Sequence, residues 1–356
     1  MLKDRIKAVQ KELNKNEALF IESAPSRYYL TGFNSSAGII FITREKSVFL
    51  IDFRYFEKAK ETVDSADVVL LESPKKQLSD IVKNEGITKI FTEPRQIPVS
   101  RFNNLKLMFP NTEISDDPKI EDRILEMRAV KSETELSSII AAQKLTDETF
   151  EYICKKITPG KTEREIMLDM EFFIRKSGSE GIAFDFIVVS GKNSSLPHGV
   201  PTNKKIEKGD FVTMDFGAVV NGYRSDMTRT VAVSTVSDEQ IKVYNTVREA
   251  QTAALKAAKP GLICKDVDKI ARDIINTAGY ECCFGHGLGH SVGIEIHENP
   301  SFNTRCETRL SPGMIMTVEP GIYLENKFGV RIEDMIYITE NGSIDLTHSP
   351  KELIVL

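Results

Sequence analysis

The sequence predicts a mixed α/β (α+β) protein of two domains, and three observations support this. The chain has 356 residues, which is long for one domain and sufficient for two. The first part alternates short apolar runs with amphipathic helical stretches. The second part contains two similar strand pairs, each with two carboxylates. We therefore expect a small α/β domain over residues 1–122 and a larger domain over residues 123–356.

The elements of the first domain follow from hydrophobic periodicity. Residues 2–14 place Leu2, Ile6, Val9 and Leu13 on one helical face. Apolar runs on both sides of the polar stretch 43–47 predict a β-hairpin. The predicted strands are 18–21, 38–41, 48–51, 68–71 and 89–92, with a helix over 78–83.

The domain boundary is expected between Pro118 and Val130, because Asp116-Asp-Pro-Lys interrupts the pattern and a long helical stretch follows. Ser132 followed by Glu135 is typical of a helix N-terminus with a capping box. The remaining helices are predicted to end near Ile157 and to cover about 162–177, 238–258 and 265–278.

Composition argues against two classes of function. The net charge is -5 with Lys and Arg scattered along the chain, so no basic surface for nucleic acid is expected. No apolar run approaches the roughly 20 residues of a membrane-spanning helix, and the charged start lacks a signal core. The five Cys form no Cys-x-x-Cys pair and include adjacent Cys282 and Cys283. Reduced thiols and a cytoplasmic location are therefore expected.

An internal repeat links four carboxylates. Gly209-Asp-Phe-Val-Thr-Met-Asp215-Phe-Gly217 and Gly313-Met-Ile-Met-Thr-Val-Glu319-Pro-Gly321 share a Gly six residues before the acid, a Thr two before it and a Gly two after it. Asp226 follows eleven residues after Asp215, and Glu333 follows fourteen after Glu319. All four acids are expected to interrupt apolar strands, where a carboxylate needs a cation, an Arg partner or a proton.

Taken singly, each acid is better explained by a surface position or an ion pair, for example Asp226 with Arg224 or Arg229. Together with His290, which is flanked by glycines, the four favour a metal site. Oxygen-rich donors with one imidazole suit Mn²⁺, Co²⁺, Fe²⁺ or Zn²⁺, and five ligands exceed one tetrahedral ion. The pattern predicts two divalent ions roughly 3.5–4 Å apart.

The other four of the five histidines carry less information on their own. His198 lies in a turn between two prolines, where a solvated histidine is ordinary. His297 could be a core histidine on a strand. His286 precedes His290 by four residues, but the glycines between them argue against a helical ligand pair. His348, near the end of the chain, is assigned no function.

These motifs resemble the pita-bread metallopeptidase family, which includes Xaa-Pro aminopeptidase, prolidase, methionine aminopeptidase and creatinase. The one departure is Ser291, where a Gly is frequent. Ser26-Arg-Tyr-Tyr-Leu-Thr-Gly-Phe33 is similar to the creatinase/prolidase N-terminal domain. The matching C-terminal segments are Leu196–Gly199, Gly209–Gly217, Gly222–Thr230, Gly285–Glu298, Thr317–Tyr323 and Gly329–Asp334.

The resemblance implies a pseudo-twofold α/β catalytic domain around an antiparallel sheet, and a role for each site residue. Asp215 would bind one ion, His290 and Glu319 the other, and Asp226 and Glu333 both. A bridging hydroxide would attack the scissile carbonyl, with Glu319 relaying its proton. The remaining implied roles are substrate binding and stabilisation of the tetrahedral intermediate by His198 and His297, and support by His286, Tyr323 and Arg331.

Several activities fit this resemblance. Xaa-Pro aminopeptidase, which acts on small peptides with proline second, is favoured; its rival, prolidase, uses the same metal centre. Methionine aminopeptidase lacks a comparable N-terminal domain. A metal-free relative or binding module is expected to lack ligands, and a structural cation-binding protein would not need His198 and His297. The resemblance also implies Mn²⁺ or Co²⁺ and a homodimer.

Overall fold

The computed structural model describes residues 2–356, which divide into two compact units at Arg128/Ala129. The unit that ends at Arg128 contains one six-stranded sheet in the order β4-β3-β2-β1-β5-β6. Its elements are α1 (Leu2–Glu12), β1 (Glu17–Ile21), α2 (Ala24–Thr31), β2 (Ile39–Thr43), β3 (Ser47–Ile51), α3 (Phe53–Thr62), β4 (Asp67–Leu70), α4 (Pro74–Asn84), β5 (Lys89–Phe91), α5 (Val99–Met108) and β6 (Glu113–Ser115).

The sheet of this first unit is mixed. The pairs β1–β2 and β2–β3 are antiparallel, and the other three pairs are parallel. All five residues of β2 are buried, which explains its continuous apolar run, since a central strand covered on both faces need not alternate. The predicted hairpin between β2 and β3 is confirmed. The helix α6 (Lys119–Ala129) then leads into the second unit.

The second unit repeats one order of elements twice. Each half has two helices, strands that lead to an acid, a two-stranded hairpin, and a strand that follows a second acid. The first half has α7 (Glu133–Cys154), α8 (Glu163–Lys176), β7 (Ile187–Ser190), the 3₁₀ helix η1 (Gly191–Ser195), β8 (Phe211–Phe216), the hairpin β9 (Val219–Val220) and β10 (Tyr223–Arg224), and β11 (Met227–Ala232).

The second half of this unit follows the same order, with one more strand before the first acid and one more at the end. It has α9 (Asp238–Ala257), α10 (Cys264–Thr277), β12 (Gly289–Ser291), β13 (Glu298–Phe302), β14 (Ile315–Val318), the hairpin β15 (Gly321–Leu324) and β16 (Phe328–Arg331), β17 (Asp334–Ile338) and β18 (Ser343–Asp345). The predicted mixed α/β fold with two related halves is confirmed.

Local sequence explains why the helices start where they do. Ser132 accepts from the backbone N–H of Glu135, and Glu135 bonds back to Ser132, so the predicted capping box is confirmed. The same reciprocal cap begins α8 and α9. Each cap satisfies backbone donors that the first helical turn leaves unpaired. Among residues 2–356, no helix combines the length and apolar character needed to cross a membrane.

Two antiparallel sheets support the second unit. One has the order β11-β8-β7 and packs its apolar side with α7 and α8; the other has the order β13-β12-β14-β17-β18 and packs with α9 and α10. In the first sheet β8 pairs with β11, and in the second β14 pairs with β17. These two strand pairs carry the acids of the sequence repeat. The helices therefore fix the sheets, and the sheets fix the positions of the carboxylates.

Candidate metal centre

A cavity of about 350 Å³ lies within the second unit, at the junction of the two strand pairs. Nine of the ten site residues predicted from the sequence line it, and the tenth, Tyr323, contacts two of them through its hydroxyl. The nine are His198, Asp215, Asp226, His286, His290, His297, Glu319, Arg331 and Glu333. The structure therefore brings together residues that are up to 135 positions apart in the chain, from His198 to Glu333.

The acids occupy strand ends more often than the sequence suggested. Asp215 lies inside β8, as expected. Asp226 comes immediately before β11, Glu319 immediately after β14, and Glu333 immediately before β17, so the expectation that all four interrupt strands is wrong for three of them. Beyond a strand end the side chains no longer alternate strictly between two faces, so carboxylates from different strands can converge.

The ion-pair explanation for Asp226 also fails for one of its two partners. Arg229 is buried and pairs with Asp334 at 2.7 Å. Its Nη1 also donates to the backbone carbonyl of Glu333 at 2.6 Å. The guanidinium therefore holds the chain next to an acid of the second half and leaves Asp226 directed to the cavity.

The donor atoms fit a divalent cation. One ligand atom each from Asp226, His290 and Glu333 lie within 4.8 Å of one another. His290 Nε2 is 3.4 Å from Glu319 Oε1. Three buried carboxylate oxygens have no hydrogen-bond partner, namely Asp215 Oδ1, Asp226 Oδ1 and Glu333 Oε1. Buried acceptors are costly when unpaired, and cations satisfy them, so the residues present fit the implied metal.

The raised pKa values of the acids also fit a site that binds positive charge. Burial, followed by repulsion from neighbouring carboxylates, raises the pKa of Asp226 and of Glu333. Burial raises the pKa of Glu319 to about 8. A bound divalent ion reverses both causes, because it stabilises the ionised carboxylates that burial and crowding disfavour.

His290 is prepared as a neutral ligand. Burial lowers its pKa to about 4, so the ring carries no charge at neutral pH. Its Nδ1 is 3.2 Å from the carbonyl oxygen of Ser291, which can only accept, so Nδ1 carries the proton. Nε2 is left with its lone pair facing Asp226 and Glu319. This is the arrangement in which imidazole binds a metal.

Arg331 connects much of the remaining site. Its Nη2 pairs with Asp215 Oδ2 at 2.7 Å, its Nε donates to Thr228 Oγ1 at 3.0 Å, and its Nη1 donates to Tyr323 Oη at 2.8 Å. Burial alone would lower the pKa of this guanidinium. The groups around it, Tyr323 and Asp215 first, outweigh burial and raise the pKa well above its usual value. Asp215 can therefore use both remedies that the sequence left open: Oδ2 pairs with an arginine, and Oδ1, which has no hydrogen-bond partner, is free to bind a cation.

A hydrogen-bonded chain extends from Arg331 to His286. His286 Nδ1 lies 2.8 Å from the carbonyl oxygen of Gly287 and must donate to it. Burial lowers the pKa of His286 to about 4, so its Nε2 is an unprotonated acceptor, and Tyr323 donates to it at 2.9 Å. Tyr323 in turn accepts from Arg331. His286 and Tyr323 thus orient the arginine rather than offer metal ligands.

The two cavity histidines outside the predicted ligand set, other than His286, differ in their surroundings. The ring of His297 packs edge-on against His290 with centroids 4.4 Å apart, and burial lowers its pKa. It precedes β13 rather than lying on a strand. His198 is exposed at the mouth of the cavity, after η1. His348 lies outside the cavity, where its backbone N–H bonds Asp147.

Sequence reasoning missed several residues that hold the ligands. Thr228 Oγ1 donates to Glu333 Oε2 at 2.7 Å. Thr317 Oγ1 accepts from the backbone N–H of His290 at 3.0 Å and donates to Glu319 Oε1 at 3.3 Å. Thr317 was visible as the repeated threonine two residues before the acid. The apolar wall of the cavity, which includes Phe184, Ile187 and Ile296, had no such signal.

Ser291 also has a defined partner. Its hydroxyl accepts from Lys131 Nζ at 2.9 Å, and the same ammonium pairs with Glu298 at 3.3 Å. These two partners of Lys131 are neighbours of cavity histidines, Ser291 of His290 and Glu298 of His297. A glycine at position 291 would lack this hydroxyl. The serine therefore adds a link, through Lys131, between β12, which contains Ser291, and β13, which contains Glu298.

Comparison with known proteins agrees with this geometry. Residues 137–340 match metallopeptidase family M24, and residues 5–130 match the creatinase/prolidase N-terminal domain. An Xaa-Pro dipeptidase of Pyrococcus horikoshii is 39% identical over 99% of both chains.

Two solved structures extend the likeness to the fold. The Xaa-Pro dipeptidase of Bacillus anthracis superposes with a TM-score of 0.96 at 38% identity and covers 100% of both chains. The X-Pro aminopeptidase of Thermotoga maritima has a TM-score of 0.90 at 36% identity, covering 98% of this chain and 99% of its own. With its two domains, its paired carboxylates and His290 in place, the chain belongs to metallopeptidase family M24.

Proposed function

We propose that this peptidase uses two divalent metal ions to hydrolyse the Xaa-Pro bond and releases the N-terminal residue of peptides that have proline second. The carrying observation is that three buried, unpartnered carboxylate oxygens lie on the cavity that also holds His198 and His297. The unpartnered carboxylate oxygens require cations. The two histidines supply polar groups that are not needed as metal ligands and can bind the substrate. The closest alternative is an Xaa-Pro dipeptidase, and a remote one is a binding module without peptidase activity.

Five residues would hold the ions: Asp215, Asp226, His290, Glu319 and Glu333. When bound, a pair of divalent ions activates a water molecule and polarises the substrate carbonyl. Arg331 and Thr228 fix the orientation of two of the carboxylates through the bonds described above. Their contribution is to hold the site in one geometry before substrate arrives.

Glu319 is the proposed proton carrier. Its Oε1 accepts a hydrogen bond from Thr317 Oγ1 at 3.3 Å, which fixes the orientation of the carboxylate. It lines the cavity and can accept a proton from the attacking water and deliver it to the leaving nitrogen of proline. Proline nitrogen is a tertiary amide in the substrate and departs as a secondary amine only after protonation, so a positioned acid is essential here.

His198 and His297 are proposed to bind the substrate. Both face the cavity, and neither is among the five ligands. Hydrogen bonds from their rings to the scissile carbonyl would strengthen as negative charge develops on its oxygen. The apolar wall formed by Phe184, Ile187 and Ile296 gives the proline ring a surface without competing hydrogen-bond donors.

The choice between aminopeptidase and dipeptidase turns on the carboxylate of a dipeptide. Arg331 is the only lysine or arginine among the described residues that line the cavity, and all three of its nitrogens are engaged by Asp215, Thr228 and Tyr323. A dipeptide would bring its carboxylate next to a guanidinium that is already paired. A longer peptide has an amide at that point, which favours the aminopeptidase. The relatives named Xaa-Pro dipeptidase favour the alternative.

The proposal extends to the metal, the oligomeric state and the cellular location. The metal is Mn²⁺, with Co²⁺, Zn²⁺ or Fe²⁺ able to occupy the same donors. The enzyme is a homodimer that acts on small proline-containing peptides and needs neither nucleic acid nor a membrane. Its place is the cytoplasm, in keeping with five cysteines that are all free thiols.

The test compares two substrates on metal-stripped protein reloaded with Mn²⁺. Cleavage of an Xaa-Pro-Yaa tripeptide, with little cleavage of the matching Xaa-Pro dipeptide, is the expected result. The reverse preference would identify a dipeptidase. Metal binding without turnover of either peptide would exclude proline-directed hydrolysis and favour a binding role. A tripeptide with alanine in place of proline is the matched control.

A further inference from the structure

The exposed His198 is held in place by the backbone around it. It belongs to the segment 190–202, which runs from the end of β7 through η1 to Thr202 and is called the His198 segment below. Within residues 2–356, no hydrogen bond holds the His198 ring, and the flanking Leu196 and Val200 are 56% and 76% exposed. The position of the ring therefore depends on how the segment is anchored.

Both ends of the His198 segment converge on one buried carboxylate, that of Glu163. At one end, the backbone N–H of Ser190 donates to Glu163 Oε1 at 2.7 Å. At the other end, the backbone N–H of Thr202 donates to Glu163 Oε2 at 3.0 Å. Asn193 Nδ2, within the segment, reaches Oε1 at 3.1 Å and Oε2 at 3.3 Å. The hydroxyls of Ser190 and Thr202 add bonds of 3.0 and 2.6 Å.

Glu163 is itself fixed. It is the first residue of α8, is completely buried, and its own backbone N–H donates to the carbonyl of Lys204 at 3.1 Å. The capping box of that helix uses Thr162 and Glu165, so the carboxylate of Glu163 is not needed for the cap. Its two oxygens are instead used entirely on the three residues of the His198 segment.

We propose that Glu163 is a positioning residue that fixes His198 at the mouth of the cavity by clamping both ends of its segment, an inference that rests on the proposed function for its effect on catalysis. Only a carboxylate can do this, because both of its oxygens accept. Glutamine offers one acceptor and one amide donor, so one buried backbone N–H would face another donor. The Glu163→Gln variant therefore keeps the shape of the side chain but releases one end of the segment.

The test begins with hydrogen–deuterium exchange on the Mn²⁺-loaded full-length protein. Glu163→Gln is expected to raise amide exchange in peptides that cover 190–202 by at least about tenfold and to leave β8 and β14 unchanged. The matched control is Glu165→Gln, which makes the same change two residues along at an exposed side chain whose hydrogen bonds go to Thr162 and not to the His198 segment. Unchanged exchange in 190–202 would overturn the proposal, whatever the activity.

Kinetics separate positioning of His198 from general loosening. Glu163→Gln is expected to lower kcat on the Xaa-Pro-Yaa substrate by about tenfold to a hundredfold, because small misplacements of a catalytic group have effects of that size. In a protein that already carries His198→Ala, the same change should cost less than about twofold. Equal losses in both backgrounds would overturn the link to His198.

Two further outcomes remain decisive. If Glu163→Gln does not fold, Thr202→Val removes the hydroxyl bond to Glu163 and also the acceptor of the Lys204 backbone N–H. It is expected to raise exchange in residues 199–204 and nowhere else; no change in residues 199–202 would overturn the proposal. If the wild-type protein hydrolyses no proline peptide, the proposed function fails, while the exchange experiment still decides whether Glu163 clamps the segment.

Discussion

The two strand pairs of the catalytic unit share a plan and differ in what they contribute. We call residues 209–232 the first pair and 313–338 the second pair. Both begin with a glycine at positive φ, 87° for Gly209 and 92° for Gly313, which a residue with a side chain rarely adopts. The first pair then supplies two Asp, and the second supplies two Glu together with Arg331. The backbone plan is repeated, but the chemistry is not.

The difference becomes clear in the bonds between the pairs. Arg331 of the second pair holds Asp215 of the first, and Thr228 of the first holds Glu333 of the second. Arg229 of the first also pairs with Asp334 of the second. The carboxylates of Asp215 and Glu333 are thus supported from the opposite pair, whereas Glu319 is held by Thr317 of its own pair. The comparison teaches that this is one site assembled at a junction, rather than two similar sites side by side.

The largest effect is expected where the two pairs differ most in chemistry, at Glu319. Glu319→Gln removes the proposed proton carrier but keeps an oxygen that can bind metal, so kcat should fall by about 10²–10⁴-fold while metal remains bound. Steady-state kinetics together with metal analysis by emission spectroscopy measure both. Glu325→Gln, at the exposed turn of the β15–β16 hairpin that follows Glu319, is the matched control. Undiminished turnover with metal bound would exclude the proton relay.

A smaller effect tests the bonds between the pairs. Thr228→Val removes the donor to Glu333 and the acceptor of Arg331 Nε, so metal affinity should fall by about tenfold. Thr213→Val is the matched change in β8: Thr213 is also buried, but its hydroxyl contacts Thr230 and Gly329 rather than an acid. Calorimetric titration of metal-stripped protein distinguishes the two. Equal losses would mean that the bond to Glu333 has no special role.

A third effect is a pH dependence of the stability of the metal-stripped protein. Asp226, Glu319 and Glu333 have raised pKa values in the folded state, about 8 for Glu319. The folded protein therefore retains protons that the unfolded carboxyls lose near pH 3.8 for Asp and 4.5 for Glu. The free energy of unfolding must therefore fall as pH rises, by about 1.4 kcal/mol per pH unit for each retained proton, and level off above the folded pKa.

The window from pH 6.5 to 8 isolates this effect. His286 and His290 have pKa values lowered to about 4, so they destabilise the folded state only below the ordinary histidine value of 6.5. In that window the melting temperature of the metal-stripped protein should fall with rising pH, whereas Mn²⁺-loaded protein should show little change. Thermal unfolding in chelator and in Mn²⁺ measures both. A melting temperature that rises with pH in chelator would contradict the assignment.

Much of the site could be predicted because glycine and acid spacing is a property of the chain itself. The repeat identified Asp215 and Glu319 as equivalent, and their strands do pair with the expected partners. The bond between Thr228 and Glu333 spans 105 residues and depends on how two sheets meet, which no local pattern contains. Glu163 was hidden for another reason: at the start of a helix, an acid is already explained by the helix dipole.

The fold, like the site, was predictable only where the signal lies within a local stretch of the chain. Long helices with capping boxes, such as α7 beginning after Ser132, were predictable to within a few residues. The short helices α2, α3 and α5 of the first unit were not predicted, because eight to ten residues carry too little periodicity. The boundary expected after residue 122 stays a prediction, although the compact units divide at Arg128/Ala129.

The bonds that cross between the strand pairs also constrain how this sequence can change over time. A substitution at Asp215 leaves the guanidinium of Arg331 without its ion-pair partner. A substitution at Thr228 removes the hydrogen bond that orients the carboxylate of Glu333. Compensating changes must therefore arise in the opposite pair, more than a hundred residues away, and not in the neighbouring strand. Two halves that share a backbone plan are in this way bound to evolve as one unit, each limiting the drift of the other.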